Sequence, residues 1–303
     1  MVQVFLSIVP LFTLIIIGWV VGKMKVASTK WVDVLNAYAY YLGFPALIFY
    51  SLIHLQSNLS DYLTIIGLNI VYLLVLLIGT YALLMYFKMS ASKRRTIPLL
   101  LVFNNIAFLG FPVIERTIGK LFLGEASIIA ACYLFTVFSV GVFLLEATLD
   151  RQTSPLGILK SLLRNPLLVA VILGVAVQVL QIKLPASSVE VIEMIGSSTT
   201  PVVLCAIGVF MSTVTLKPIK NWLQPFIISL ISLLIVPLCL WMILKSNLET
   251  TKLSIIEAAM PLAITPFAMA KNYQLDQNLI ARSIVLSTLL SFITLPFWID
   301  WLV

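Results

Sequence analysis

Apolar residues run in ten long blocks, and polar residues fall mostly between them. The blocks cover about 2–22, 32–54, 62–87, 96–119, 125–148, 165–182, 189–213, 223–244, 253–272 and 279–301. A helix rises 1.5 Å per residue, so blocks of about 20 residues reach across the hydrocarbon core of a bilayer. Lipid offers the backbone no hydrogen-bond partners, so each block is expected to be helical. The longest connection, Asp150 to Arg164, has about 15 residues, too few for a soluble domain.

Two blocks carry polar and helix-breaking residues in their middles. The fourth contains Asn104-Asn105-Ile106-Ala107-Phe108-Leu109-Gly110-Phe111-Pro112, and the ninth contains Glu257-Ala258-Ala259-Met260-Pro261-Leu262-Ala263-Ile264-Thr265-Pro266. Proline has no N–H and its ring displaces the carbonyl four residues earlier, so both blocks are expected to be broken helices. Half-helix N-termini attract anions, while C-terminal ends and bare carbonyls attract cations. Corresponding breaks in two halves of a membrane chain point to a transporter's binding site.

The halves match elsewhere too. Pro10 and Pro166, Gly18 and Gly174, and Pro45 and Pro201 are each 156 residues apart; Pro112 and Pro266 are 154 apart. A five-block unit crosses the membrane an odd number of times, so its second copy inserts upside down. The expected fold is an all-α polytopic membrane protein with ten transmembrane helices. Residues 1–148 form the first five-span repeat, 149–164 a cytoplasmic loop, and 165–303 the second, inverted repeat, with broken helices four and nine crossed.

Composition agrees with this pattern. The chain is 61% hydrophobic and 10% charged, with mean hydropathy +1.11; soluble domains carry roughly 25% charged residues. The net charge of +7 reflects loop lysines and arginines rather than a nucleic-acid surface. One set of alternate loops holds 14 of them, from Lys23 to Arg282 and including Arg151, Lys217 and Lys220, and the other set holds Arg116, Lys120, Lys183, Lys245 and Lys252. The positive-inside rule then puts both termini outside the cell membrane. Lys23, Lys25 and Lys30 follow the first block with no small-residue cleavage site, so that block is expected to be retained. The odd number of cysteines argues against a disulfide framework, and Cys132, Cys205 and Cys239 are expected to be small core residues.

The candidate chemistry lies at the breaks. Asn105 is expected to offer amide donors to a substrate oxygen. Asn104 points about 100° away on a helix and suits interhelical glue better, though it stays in the candidate set. Gly110, Pro112, Pro261, Thr265 and Pro266 complete that set through freed backbone groups. Glu257 admits two readings: a proton-coupling carboxylate within the span, or a solvated residue at the outer interface beside Lys252. Glu115 and Arg116 either gate the break or, the preferred reading, lie at a solvated outer helix end, and Asp150 and Arg151 are expected at a cytoplasmic one. Ser197-Ser198-Thr199-Thr200-Pro201 interrupts the seventh block; its hydroxyls either satisfy carbonyls freed by Pro201 or, with Pro45, line the substrate path. Gly18 and Gly22 make a GxxxG face suited to close helix packing. Nucleophile-elbow, zinc-protease and phosphate-loop motifs are absent, and no cofactor or metal is expected beyond a coupling H+ or Na+.

At these residues the chain resembles the auxin efflux carrier family, which includes plant auxin carriers and bacterial organic-acid permeases. Asn105 with Gly110 and Pro112 matches the family's Asn and Gly-x-Pro pattern, and Pro45-Ala46-Leu47-Ile48-Phe49 its second-segment signature. The stretch from Ala258 through Pro261, Pro266 and Ala270-Lys271 to Tyr273 matches its ninth-segment run. The resemblance spans essentially the whole chain. It implies inverted repeats, crossed fourth and ninth segments in a moving domain, and a scaffold and dimer face from segments one, two, six and seven. It also implies carboxylate recognition near Asn105 and elevator-type motion. Glu257 stands where plant carriers tend to have Gln, and their long cytoplasmic loop is missing, so the compact bacterial members fit best. The expected function is secondary transport of a small organic anion such as malate or malonate by a homodimer. The alternative is a non-transporting sensor that binds a carboxylate metabolite in the same pocket, and an intramembrane enzyme ranks below both.

Overall fold

The structure, a computed structural model, describes residues 1–55, 62–149, 155–214, 219–245 and 248–303. Asp150, Arg151 and Lys217 lie outside these residues. Regular structure among the described residues is helical throughout, apart from one isolated β-bridge. Among the described residues, seven helices are long and apolar enough to cross a membrane: Val2–Lys23, Thr29–Ile53, Leu63–Tyr86, Lys120–Ala147, Ala186–Thr213, Leu223–Leu244 and Gln277–Leu302. They are the first, second, third, fifth, seventh, eighth and tenth of the apolar blocks.

The other three blocks differ. The sixth is the 14-residue helix Pro166–Val179, about 21 Å long at 1.5 Å per residue. A short helix, Pro155–Leu163, precedes it where a loop was expected. The fourth block is split into Ala91–Val102 and Phe111–Thr117, and the ninth into Leu248–Ala258 and Thr265–Met269.

Three prolines follow a widened helical turn instead of ending a helix. Single π-helical turns, Ala39–Gly43, Ile106–Gly110 and Ile231–Ile235, stand immediately before Phe44-Pro45, Phe111-Pro112 and Val236-Pro237. In such a turn each N–H reaches back five residues, as Gly110 N–H does to the Asn105 carbonyl at 3.0 Å. The added width makes room for a proline ring that would otherwise strike a carbonyl. Pro201 lies inside the unbroken helix Ala186–Thr213, so the interruption expected at Ser197–Pro201 does not occur. The Ser198 and Thr199 hydroxyls both donate to the Ile195 carbonyl, at 2.7 and 3.3 Å, rather than to the Ser197 carbonyl four residues before Pro201.

Small residues decide which helices touch. The first helix packs closely on the seventh: a Cβ at Gly18 would strike the Cys205 carbonyl, and one at Gly208 the Ile15 carbonyl. Gly174 of the sixth helix sits against Leu52 of the second, and Gly43 against the Thr199 hydroxyl. Polar bonds tie other pairs. Asn69 on the third helix donates to Ser254 Oγ on the ninth at 2.8 Å, and Trp298 on the tenth to the Leu233 carbonyl on the eighth at 2.8 Å. Leu63, Val71, Val75, Ile243 and Ile293 stay exposed on the outer faces, as lipid contact requires. Cys132 is buried and Cys205 partly so, but Cys239 is exposed, so the core reading fails for that residue. It sits on an outer helix face, where a small apolar side chain meets lipid as readily as protein.

Candidate functional site

The two breaks meet. The first half of the fourth block ends at Val102, and the chain then runs antiparallel to the ninth-block break. Asn105 N–H donates to the Pro261 carbonyl at 2.7 Å and Ala263 N–H to the Phe103 carbonyl at 2.9 Å. Between these bonds Asn104 and Leu262 pair as an isolated antiparallel bridge. Leu262 N–H is taken by Ser287 Oγ at 3.1 Å. Non-helical backbone inside such a protein needs internal partners of this kind.

The bridge places the interruption earlier than the sequence suggested. It falls at Phe103–Asn105, while Gly110 and Pro112 belong to the helix that resumes after it. A Cβ at Gly110 would make only ordinary contacts, at 3.6 Å to the Asn105 carbonyl and to Met260 Cγ. Pro266 likewise breaks nothing. It occupies the first turn of Thr265–Met269, where a missing N–H has no helical partner to lose. The true break is Ala259–Ile264, with Pro261 inside it. Thr265 is half-buried and Pro266 buried at its far end.

The adjacent amides have different surroundings. Asn104 Nδ2 donates to the Ala258 carbonyl at 2.7 Å and the Glu257 carbonyl at 3.4 Å. The Ala258 carbonyl has no helical donor where the ninth helix stops, while the Glu257 carbonyl also accepts Met260 N–H at 3.2 Å, so Asn104 caps that end. Asn105 is 4% exposed; its Oδ1, like that of Asn104, has no partner, and its Nδ2 caps no helix end. Glu257 is 0% exposed, with neither carboxylate oxygen hydrogen-bonded. That overturns the solvated-interface reading: Glu257 lies in the last helical turn before the break and faces protein. Its electrostatic neighbours include Cys132, Tyr133 and Glu125 on the fifth helix. Ser254, one turn earlier on the same face, meets Asn69.

A cavity of about 390 Å³ opens beside the second half of the fourth block. Pro112, Glu115, Arg116 and Lys120 form one wall; Thr200, Pro201, Leu47 and Pro10 belong to helices on the other sides. Of the path-lining candidates, Thr200 and Pro201 reach this cavity. Thr199 is fully buried against Gly43, and Pro45 is half-buried. Sequence reasoning missed Asn69, Ser254, Ser287 and Glu193. Asn69 was visible as a lone amide in an apolar block, whereas nothing marked Ser287 among its neighbouring serines.

Residues 3–299 match the model of the family described as membrane transport protein. The chain belongs to that family. This is the auxin efflux carrier grouping that its motifs resemble. An uncharacterized transporter of Methanocaldococcus jannaschii is 25% identical over 297 residues, 94% of each chain. A Rhizobium meliloti protein named "Putative malonate transporter" is 23% identical over 310 residues, covering 95% of this chain and 92% of its own. The uncharacterized transporter YfdV of Escherichia coli K12 is 20% identical over 304 residues, 97% of this chain and 96% of that one. Family membership and seven apolar helices make this a multi-pass membrane protein of a transporter family.

Proposed function

We propose that the chain is a secondary transporter of a small organic anion, a mono- or dicarboxylate such as malate or malonate, working by elevator motion. The observation that carries this reading is the antiparallel contact of the two breaks, with Asn105 buried beside it and its side-chain amide, unlike that of Asn104, donating to no neighbour among the described residues. The helix that resumes at Ile106 turns its N-terminal end toward this contact, and positive helix ends favour carboxylates. Asn105 Nδ2 donates to the substrate carboxylate there, and Asn104 holds the ninth helix in place. The Rhizobium relative's name supports malonate as the first candidate.

Ten spans in two inverted halves, 1–148 and 165–303, complete the proposal. Support comes from swapped contacts between residues 156 apart. Gly18 of the first helix packs on the seventh, and its counterpart Gly174 of the sixth packs on the second. Gly43 and Thr199, also 156 apart, touch each other, as positions near a pseudo-twofold axis do. The first, second, sixth and seventh helices form the scaffold and the face of a homodimer, with both termini outside the cell membrane. Glu257 carries the coupling proton: a buried carboxylate without a partner needs a proton or cation to offset its charge.

A thermal-shift screen of organic acids, at two pH values and with and without sodium, tests binding, because a ligand of the native state raises its apparent stability. Uptake into proteoliposomes then tests flux. Binding of a carboxylate with no flux in either direction would sink the transporter reading in favour of a sensor.

A further inference from the structure

The cavity beside Pro112 has chemistry that substrate binding at Asn105 leaves unused. By the charge count its side of the protein holds only five basic residues, and two of them, Arg116 and Lys120, line this one cavity together with two carboxylates, Glu115 and Glu193. Gly119, at φ 131°, reverses the chain just before Lys120, a conformation that side-chain-bearing residues rarely adopt. The Lys120 ammonium thereby reaches across to Glu193 on the seventh helix, Nζ to Oε1 at 2.5 Å, and sits 4.7 Å from the Tyr50 ring centre on the second. Arg116 Nε donates to the Ser7 carbonyl on the first helix at 2.9 Å. Both cations project from the fourth-block side and are held by the helices opposite.

We propose that Lys120 and Arg116 form an external carboxylate-capture subsite in which Glu193 occupies the substrate's place until an anion arrives. Glu193 is itself a carboxylate, so the geometry that satisfies Lys120 internally suits a substrate carboxylate equally well. The cavity's volume of about 390 Å³ falls within the range of small-molecule sites. An incoming dicarboxylate displaces Glu193 from Lys120, which fills the subsite and also releases a contact between the fourth-block side and the seventh helix. Capture and freedom to move are then one event. This rests on the transporter reading above.

Malonate uptake into proteoliposomes at low ionic strength tests it through two single variants. Lys120→Gln removes the capturing cation and should raise KM about three- to fivefold, with kcat little changed. Glu193→Gln removes the internal competitor and should lower KM, while Lys120→Arg should stay near wild type. Both shifts should shrink at high salt, since the groups are solvent-accessible. A merely structural latch would move KM the same way in both variants, and shifts of the same sign, or none in either, would overturn the proposal. Wild-type flux and an Asn105 variant, measured alongside, report on the transporter reading separately.

Discussion

Asn104 and Asn105 are adjacent, chemically identical and both buried, yet their surroundings differ. Asn104 spends its amide on the orphaned carbonyl of Ala258. Asn104→Ala should therefore lower the melting temperature in detergent, by the equivalent of about 1–3 kcal/mol for a buried unsatisfied acceptor. Asn105→Ala should leave a folded protein of near-normal stability that no longer shifts with the carboxylate that shifts wild type. An unchanged ligand-induced shift in that variant would remove Asn105 from the site. Glu257→Gln keeps the shape and deletes the ionisable group, so uptake should lose its pH dependence; a retained pH profile would assign coupling elsewhere. The sequence singled out all three residues because polar atoms inside an apolar block stand out. It did not separate the two asparagines, because hydrogen-bond partners come from a segment some 150 residues away.

The broken helices show a related limit at the level of elements. Gly-Phe-Pro looked like the breaker in the fourth block, but the chain absorbs Pro112 in a π-helical turn and breaks at Phe103–Asn105 instead. Pairing with the ninth-block backbone makes extended structure affordable there, and no local propensity reports that pairing. Glycines divide by the same logic. Gly110 has room for a methyl, so Gly110→Ala should leave the melting temperature unchanged or slightly raised. Gly208 lies against Ile15 and Trp19 backbone, so Gly208→Ala should push the first and seventh helices apart and lower it by several degrees. Equal melting temperatures for the two variants would contradict this packing.

For the whole molecule, elevator motion requires the fourth-block side to slide past the first, second and seventh helices. Cysteines replacing Lys120 and Glu193, in a background without Cys132, Cys205 and Cys239, should accept a short thiol cross-linker and stop uptake until the link is reduced. Undiminished flux in the cross-linked protein would rule the motion out. Residue order alone determined that this chain lives in a membrane and that two of its apolar blocks are interrupted. Those conclusions follow from the energy of exposing backbone and charge to lipid, which depends on composition along the chain. Only the folded structure decided where the helices break, which amide caps and which stays unpartnered, and that Glu257 is buried. These depend on contacts between the fourth and ninth blocks, and sequence distance carries no information about which distant backbone groups will pair.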